Sequence, residues 1–153
     1  MYLDLAVALD ESWTITLSHE ALELVGDPSA NLLVQGPHPS QRRQVFHWFE
    51  MCDAVQDECY EIDGEQVSNF VLPLYFTPTA ERGSRNDFLG TIKNGESLRS
   101  FGANPGGYVG FFDPKKRDDD TWEADERAKQ RLAIKRRLRT GRGQRRRKAS
   151  PRV

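Results

Sequence analysis

The last 27 residues of this chain carry a concentration of positive charge that limits what they can fold into. They contain 13 lysine and arginine residues and no aspartate or glutamate. Residues 1–126 contain the other 9 basic residues and all 23 acidic ones, a net charge of −14, together with every aromatic residue. Because so many like charges cannot be buried together, we expect a folded acidic body followed by a basic end that stays in solvent.

The first 26 residues predict a β-hairpin followed by a short helix. Residues 2–9 are apolar enough for a strand, and residues 13–17 alternate apolar side chains with threonine, as half-buried strands do. Ser18 can cap a helix that Gly26 ends, since glycine commonly follows the last helical residue. We therefore expect two strands and one helix in this segment.

The rest of the body predicts short antiparallel strands. The Asp63-Gly64 pair lies between two alternating runs and predicts a tight hairpin, because both central residues of a type I′ turn have positive φ. Residues 44–52 fit a helix face or a strand, and their aromatic and β-branched content favours a strand. Further strands are expected at residues 32–34, 59–62, 65–71, 72–76 and 108–112, and glycine-rich loops over residues 77–107. The predicted fold is α+β and mostly antiparallel β, a small sandwich or partly open barrel with one or two short helices.

The C-terminal part predicts a solvated helix over residues 118–139 and a disordered Arg-rich tail over residues 140–153. Three aspartates at 118–120 would cap the helix, and Lys and Arg fill its later turns, an order that matches the helix dipole. The Thr-Gly-Arg-Gly sequence at 140–143 is expected to end the helix, because glycine is a poor helix former. The acidic globular body is accordingly assigned to residues 1–117.

The basic end is of the kind that binds polyanions. Arginine outnumbers lysine there, and the planar guanidinium suits bidentate contacts to phosphate. No aromatic residue follows Trp122, so the segment lacks a surface on which bases could stack, and binding without sequence preference is expected. The residues predicted to contact nucleic acid are Lys135, Arg136, Arg137, Arg139, Arg142, Arg145, Arg146, Arg147 and Lys148. The alternatives are docking on an acidic protein surface, and a tail that is merely solvated or folds back onto the chain's own acidic body.

Histidine and cysteine do not occur at the spacings of a metal site. The three histidines are His19, His38 and His47, and the two cysteines are Cys52 and Cys59. They form no C-x-x-C, H-x-x-x-H or H-E-x-x-H pattern, so no metal site and no cofactor are predicted. On one strand His47 and Cys52 would fall on opposite faces, which disfavours a Cys-His catalytic pair. Both cysteines are expected to be reduced thiols.

Two other patterns favour a structural interpretation over a catalytic one. The carboxylates between residues 53 and 65 are expected to form the solvated face of a hairpin. The glycine-rich residues 102–107 are followed by a strand and not by Lys-Ser or Lys-Thr, so they do not fit a phosphate-binding loop. No catalytic residue is therefore predicted.

The charge division favours a non-catalytic assembly or scaffold protein. A structural or accessory component of a nucleoprotein particle, such as a phage or other virion, would use both halves, with nucleic acid and other protein subunits, copies of itself among them, as partners. The alternatives are a small enzyme with its site in the glycine-rich residues 77–107 near Asp87 and Asn104, or a regulatory module whose tail docks an acidic protein. The chain lacks an apolar span or a signal-peptide pattern at its start, so a cytoplasmic location, or the interior of a particle assembled there, and no membrane partner are expected.

Overall fold

Three helices and eight strands make up the part of the chain that can be described. The computed structural model describes residues 3–78 and 85–149, with side chains from residue 6 to residue 137 outside that gap. The helices are α1 (Leu3–Leu9), α2 (Trp13–Gly26) and α3 (Glu126–Ala149). The strands are β1 (Leu33–Pro37), β2 (Gln44–Trp48), β3 (Cys59–Ile62), β4 (Glu65–Ser68), β5 (Ile92–Lys93), β6 (Glu96–Ser97), β7 (Tyr108–Asp113) and β8 (Asp118–Glu123). Short 3-10 helices lie at Asp53–Val55 and Pro73–Phe76.

The main sheet has four antiparallel strands in the order β1-β2-β7-β8. β3 and β4 form a separate hairpin at Asp63-Gly64, where both residues have positive φ, as the sequence predicts. β5 and β6 form a second small hairpin inside the segment expected to be loops. The α+β, mostly antiparallel fold with a C-terminal helix is thereby confirmed, and the four-stranded sheet is open at both edges and does not close into a barrel.

The hydrophobic core lies between β7 and the segments that follow β2 and β4. Val109 on β7 packs against the 3-10 helix at Asp53–Val55. The aromatic side chains of Tyr75 and Phe76, in the second 3-10 helix, and of Phe101, before β7, fill the remaining volume. Phe49 stacks on Phe76 with ring centroids 4.3 Å apart. The buried members of this core are Ala54, Val55, Val71, Tyr75, Phe76, Leu98, Phe101 and Val109.

The N-terminal hairpin expected from the sequence is wrong, because both segments are helical. Ser12 caps α2 with its hydroxyl accepting from the Thr14 amide, six residues before the predicted cap. The alternation that favoured a strand does not reflect burial, since Trp13 and Leu17 are 53% and 43% exposed. Five alternating residues are too few to outweigh a well-placed N-cap and the helix-forming Leu and Ala of residues 3–9.

The helix predicted over residues 118–139 begins later than expected. β8 occupies Asp118–Glu123 and pairs with all six residues of β7 through a turn in which Arg117 has a φ of 58°. The three aspartates therefore lie on a strand, because backbone pairing with β7 outweighs their preference for a helix start. α3 begins after Asp125, whose carboxylate accepts from the Ala128 amide at 2.9 Å.

Two further details differ from the expectation. α3 continues through residues 140–143 to Ala149, so two glycines do not end it among the strongly helix-forming Arg and Lys residues. The last part of the predicted tail, residues 150–153, lies outside the described residues.

The strand expected at residues 72–76 is a 3-10 helix, because Pro73 suits a helical first turn and has no amide to donate to a ladder. Among the described residues no helix is both long and apolar enough to cross a bilayer.

Candidate functional site

A cluster of buried ionisable groups lies where α2 meets the segment after β2. His19 and Glu23 are four residues apart and therefore share one face of α2. Asp53 begins the 3-10 helix that follows β2, and Glu50 precedes it in the same loop. His19 is 8% exposed and Asp53 is 7% exposed, so both groups are almost fully removed from water.

The His19 ring nitrogen is the centre of this cluster. Its Nε2 atom lies 3.1 Å from Oε1 of Glu23 and 3.3 Å from Oδ1 of Asp53. Although these distances are short, neither Nε2 of His19 nor Oδ1 of Asp53 has a hydrogen-bond partner among the described residues. The His19 ring nitrogen therefore lies at ion-pair distance from both carboxylates without the alignment of a hydrogen bond.

Neighbouring groups hold these side chains in position. The hydroxyl of Tyr108, on β7, lies beside the Asp53 carboxylate and accepts from Nζ of Lys135, on α3, at 2.9 Å. On the other side the Cys52 amide donates to Oε1 of Glu23 at 3.3 Å. β7 and α3 thus hold Asp53 through Tyr108 and Lys135, and the loop after β2 holds Glu23 through the Cys52 amide, which limits how far the cluster can relax.

Burial and mutual charge shift the pKa values in this cluster. Burial alone would lower the pKa of His19, but the adjacent carboxyl groups of Asp53 and Glu23 raise it to about 10. Burial, followed by the charge of Glu23, raises the pKa of Glu50 to about 8. Burial would raise the pKa of Asp53 too, but the Lys135 charge and the neighbouring His19 and Tyr108 side chains hold it below its usual value. Such shifts are typical of functional sites and also of structural ion-pair networks.

Two openings give access to this region from solvent. One, of about 260 Å³, is lined by Glu20, Glu23 and Glu50 together with the residues that follow α2. The other is much smaller, about 20 Å³, and lies between His19 and Lys135. Water or a small ion can therefore reach the two glutamates through the first opening.

A second polar site lies under a cavity with a volume of about 490 Å³. Its wall includes Lys93, Asn104 and Trp122. The Asn104 amide donates to Oε1 of Glu58 at 2.7 Å, which places this buried carboxylate directly behind the cavity wall. The cavity falls largely within residues 77–107, the segment in which the alternative enzyme site was expected.

Asn69 connects that carboxylate to Asp87. Its amide nitrogen donates to Oε2 of Glu58 at 2.8 Å and to Oδ2 of Asp87 at 2.9 Å. Its amide oxygen accepts from the backbone of Phe70 at 2.9 Å and of Leu89 at 3.2 Å. Asp87 and Asn104, which the sequence placed near one possible active site, are therefore joined through one buried hydrogen-bond network.

The basic helix is attached to the acidic body by its first three turns. Arg131 forms a two-pronged ion pair with Glu11, and Arg127 lies 2.7 Å from Asp57. Ala128 and Leu132 are buried beside them. The residues at 127, 131 and 135 follow the four-residue spacing of one helix face, so this face is the one that contacts the body.

The nine predicted nucleic-acid residues divide into three groups. Lys135 is half-buried and contacts Tyr108, so its ammonium group serves the buried cluster. Arg136 and Arg137 are exposed on α3. The remaining six, Arg139, Arg142, Arg145, Arg146, Arg147 and Lys148, lie on the part of α3 for which only the backbone is described.

The carboxylates expected on a solvated hairpin face behave in two ways. Glu61, Asp63 and Glu65 are exposed, as expected. Asp53 and Glu58 are buried, and that expectation is wrong for them, because they lie before the hairpin and face the core through His19 and Asn69.

The cysteine and histidine side chains have separate partners. Cys52 is buried and Cys59 is exposed, and both are free thiols. His47 donates through Nε2 to the Pro37 carbonyl at 2.9 Å, whereas the Cys52 thiol donates to the His19 carbonyl at 3.7 Å, so these two side chains do not act as a pair. His38 accepts from the Ser40 amide through Nδ1 at 3.1 Å.

Sequence reasoning missed the convergence of His19, Glu23 and Asp53. The four-residue spacing of His19 and Glu23 lies inside the helix that was expected, and it was the one available signal. Asp53 is 30 residues beyond Glu23, and no local pattern predicts that the loop after β2 packs on α2. The chain matches no protein-family model, no curated protein and no solved structure.

Proposed function

We propose that this protein is a non-catalytic assembly or scaffold protein whose basic C-terminal helix contacts nucleic acid through phosphates. The observation that supports the proposal is the charge density of the second half of α3. Residues 136–149 contain eight basic residues and no acidic one. α3 itself contains one acidic residue, Glu126 in its first turn.

The length of this segment suits a duplex. At about 1.5 Å per residue its 14 residues extend about 21 Å, and a duplex presents one phosphate per about 1.7 Å of axis. A rod with eight cations therefore meets more phosphates than it can neutralise, whichever bases lie between them. This arrangement favours binding that depends on salt and is independent of sequence.

The division of the chain into an acidic body and a basic helix favours a structural or accessory role in a nucleoprotein particle, such as a phage or other virion. The acidic body provides surfaces for other protein subunits, including further copies of this chain, and the basic helix faces the packaged nucleic acid. A cytoplasmic location, or the interior of a particle assembled there, belongs to the same proposal. Docking of α3 on an acidic protein is the competing role for the same cations.

The test compares two triple substitutions that remove the same charge. R145Q/R146Q/R147Q removes three cations from α3, and K115Q/K116Q/R117Q removes three from the exposed turn between β7 and β8. Binding of a labelled duplex by the full chain is measured by fluorescence anisotropy between 50 and 200 mM salt. If the three arginines contact phosphates, the salt slope falls by about 3 for the first variant and stays unchanged for the second.

The two variants also define what would contradict the proposal. Equal weakening by both would mean that only net charge matters, and unchanged binding by both would exclude α3 as the contact. Binding of an acidic protein that is lost in the α3 variant and survives nuclease treatment would favour the docking role.

The 490 Å³ cavity favours one second candidate, a small enzyme or ligand-binding protein with its site near residues 93–105. Lys93 and Asn104 converge there on Glu58, as polar groups do in ligand sites. Trp122 lines the same cavity, so its fluorescence is expected to respond to a ligand bound there. A ligand that quenches the wild type and a W13F variant equally, but not W122F, would support this candidate.

A further inference from the structure

α2 turns polar side chains towards the body and large apolar ones towards solvent. A helix on the surface of a domain normally packs an apolar stripe against the core and leaves its polar face in water. In α2 the buried residues are Thr14 and His19. The Ser18 hydroxyl accepts from the amide of Ser68, the last residue of β4, at 2.8 Å, so a polar contact joins α2 to that hairpin. The inner face of α2 therefore does not bury its largest apolar side chains.

Five apolar residues form one continuous stripe on the outer face of α2. They are Trp13, Leu17, Ala21, Leu24 and Val25, and at about 100° per residue they fall within an arc of about 120° over a length of about 18 Å. The four large side chains are between 43% and 80% exposed, and Ala21 is exposed as well. Contiguous apolar surface that remains in water marks interaction sites in soluble proteins. A straight stripe of this kind matches the stripe of another helix, because helices pack by fitting the side-chain rows of one between those of the other.

The surface beside the stripe is acidic. Residues 1–41 contain six aspartates and glutamates and no lysine or arginine. Glu20 follows Trp13 by seven residues and therefore lies about 20° from it around the helix, so a carboxylate borders the stripe. Asp10, three residues before Trp13, is exposed. Because opposite charges across an interface favour encounter and select the partner, a protein that covers the stripe is expected to carry Lys or Arg beside its own apolar residues.

A second copy of this chain does not fit that requirement. Two α2 helices packed face to face would bring the Glu20 carboxylates of both copies to one interface. Each copy also carries a net charge of −14 over residues 1–126, which opposes the approach of two bodies. The basic half of α3 cannot cover the stripe of another copy, because Leu138 is the one large apolar residue in the sequence of residues 136–149. The charge pattern therefore favours a different protein as the partner.

We propose that the outer face of α2 binds an amphipathic helix of another protein, one in which Lys or Arg borders the apolar stripe. The proposal rests on the assembly role proposed above, for which it names the kind of protein partner. It involves none of the cations of α3, so it and the nucleic-acid contact can fail separately. A helix docked on α2 would bury Trp13 and place its own cations next to Glu20.

The test uses a labelled synthetic helix of leucine and lysine, with all the leucines on one face, and follows its binding to the full chain by fluorescence anisotropy. A leucine and glutamate peptide with the same leucine positions is the control for charge. On the protein, L17Q/L24Q removes two apolar side chains of the stripe, and glutamine leaves the charge unchanged and the helix propensity nearly so. The matched control, I62T/I92T, removes two similarly exposed apolar side chains from β3 and β5.

The wild type should prefer the basic peptide over the acidic one by at least about 10-fold, because like charges beside the stripe oppose binding. L17Q/L24Q should bind the basic peptide at least about 10-fold more weakly and I62T/I92T less than about 2-fold more weakly, because a few buried anchor residues provide most of the affinity of an interface. Equal losses in both variants would overturn the proposal, and so would tighter binding of the acidic peptide.

Trp13 supplies a measurement on the unsubstituted protein. It lies in the stripe and is half exposed, so tryptophan emission should move to shorter wavelength when the basic peptide covers it, and W13F should lose this shift. A shift that persists in W13F would place the peptide elsewhere and refute the contact.

Self-association and duplex binding separate this proposal from its neighbours. A wild-type dimer in sedimentation equilibrium that L17Q/L24Q dissociates would overturn the proposal, since a second copy would then occupy the face. L17Q/L24Q retains every cation of α3 and should bind the labelled duplex as the wild type does. The duplex titrations therefore decide the nucleic-acid contact whatever the outcome with the two peptides.

Discussion

Substitution of Asn69 by aspartate tests whether the buried amide is needed because it donates. Asn69 is fully buried, and its side-chain nitrogen bridges the carboxylates of Glu58 and Asp87 at 2.8 and 2.9 Å. Aspartate has nearly the same shape and keeps the oxygen that accepts from the Phe70 and Leu89 amides. The change therefore removes only the two donated hydrogen bonds. It also places a third carboxyl group between the carboxylates of Glu58 and Asp87.

The expected cost is large because two buried carboxylates each lose a donated hydrogen bond. Hydrogen bonds to charged groups contribute about 1.5–3 kcal/mol each, so the loss of two gives roughly 3–6 kcal/mol at neutral pH. The new carboxyl group can restore one of the bonds by staying protonated. Its pKa in the folded state must then lie above its unfolded value of about 3.9. Between these two pKa values the variant loses a further amount of about 1.4 kcal/mol of unfolding free energy, relative to wild type, for each unit by which the pH rises.

The assay is urea unfolding followed by tryptophan fluorescence at pH 4.5, 5.5 and 6.5 for wild type, Asn69→Asp and Asn69→Ala. The difference between wild type and Asn69→Asp should widen by up to about 2.7 kcal/mol across this range. The alanine variant, which gains no titratable group, should show a constant difference. A pH-independent loss in the aspartate variant would refute the argument that donation to the two carboxylates is what Asn69 provides.

Two more predictions follow from single buried contacts. Tyr75→Phe removes the hydroxyl that donates to the Gly102 carbonyl at 2.6 Å, and it should lower the free energy of unfolding by about 1–3 kcal/mol in urea melts, whereas Tyr60→Phe on β3 should change it by less than about 0.5 kcal/mol. Hydrogen bonds from Arg43 lower the pKa of Asp113 to about 2. The ionised Asp113 therefore contributes fully to the free energy of unfolding above about pH 4, and this contribution is lost as pH falls towards 2. An Asp113→Asn variant should therefore lose less melting temperature than wild type between pH 4 and pH 2, and parallel losses would contradict this assignment.

The parts of the fold that were predictable are those fixed by local chemistry. The Asp63-Gly64 hairpin depends on two consecutive residues with positive φ, and few sequences other than Asp-Gly or Asn-Gly adopt that turn readily. β7 is recognisable from its dense aromatic and β-branched residues, and β2 was resolved correctly against a helix by the same criterion. In each case the information lies within about ten residues.

The errors concern segments whose state is decided by contacts elsewhere in the chain. Residues 13–17 alternate as a strand would, but α2 is fixed by the Ser12 cap and by burial of Thr14 and His19. Asp118–Glu123 carries the charge pattern of a helix start, but it forms β8 because β7 presents a full set of backbone partners. Such tertiary pairing cannot be derived from one-dimensional periodicity.

The buried cluster around His19 was predictable only in part, for a related reason. His19 and Glu23 are a local pair on an expected helix. Asp53 and Tyr108 reach the same place through the packing of a loop and a central strand on α2, over sequence separations of 34 and 89 residues from His19. Motif spacing detects functional groups that lie close together in the chain. The members of this cluster are far apart in the chain, so no motif could reveal them.

The open edges of the sheet affect how copies of the chain can meet. β8 is one edge strand and carries Asp118, Asp119 and Asp120, and β1 is the other and ends at Pro37, which has no amide hydrogen. Charge repulsion on one side and a missing donor on the other both discourage a second sheet from adding on. Continuous growth of β-structure from molecule to molecule is therefore disfavoured, so ordered multimers of this protein are expected to form through side-chain contacts on the faces of the domain.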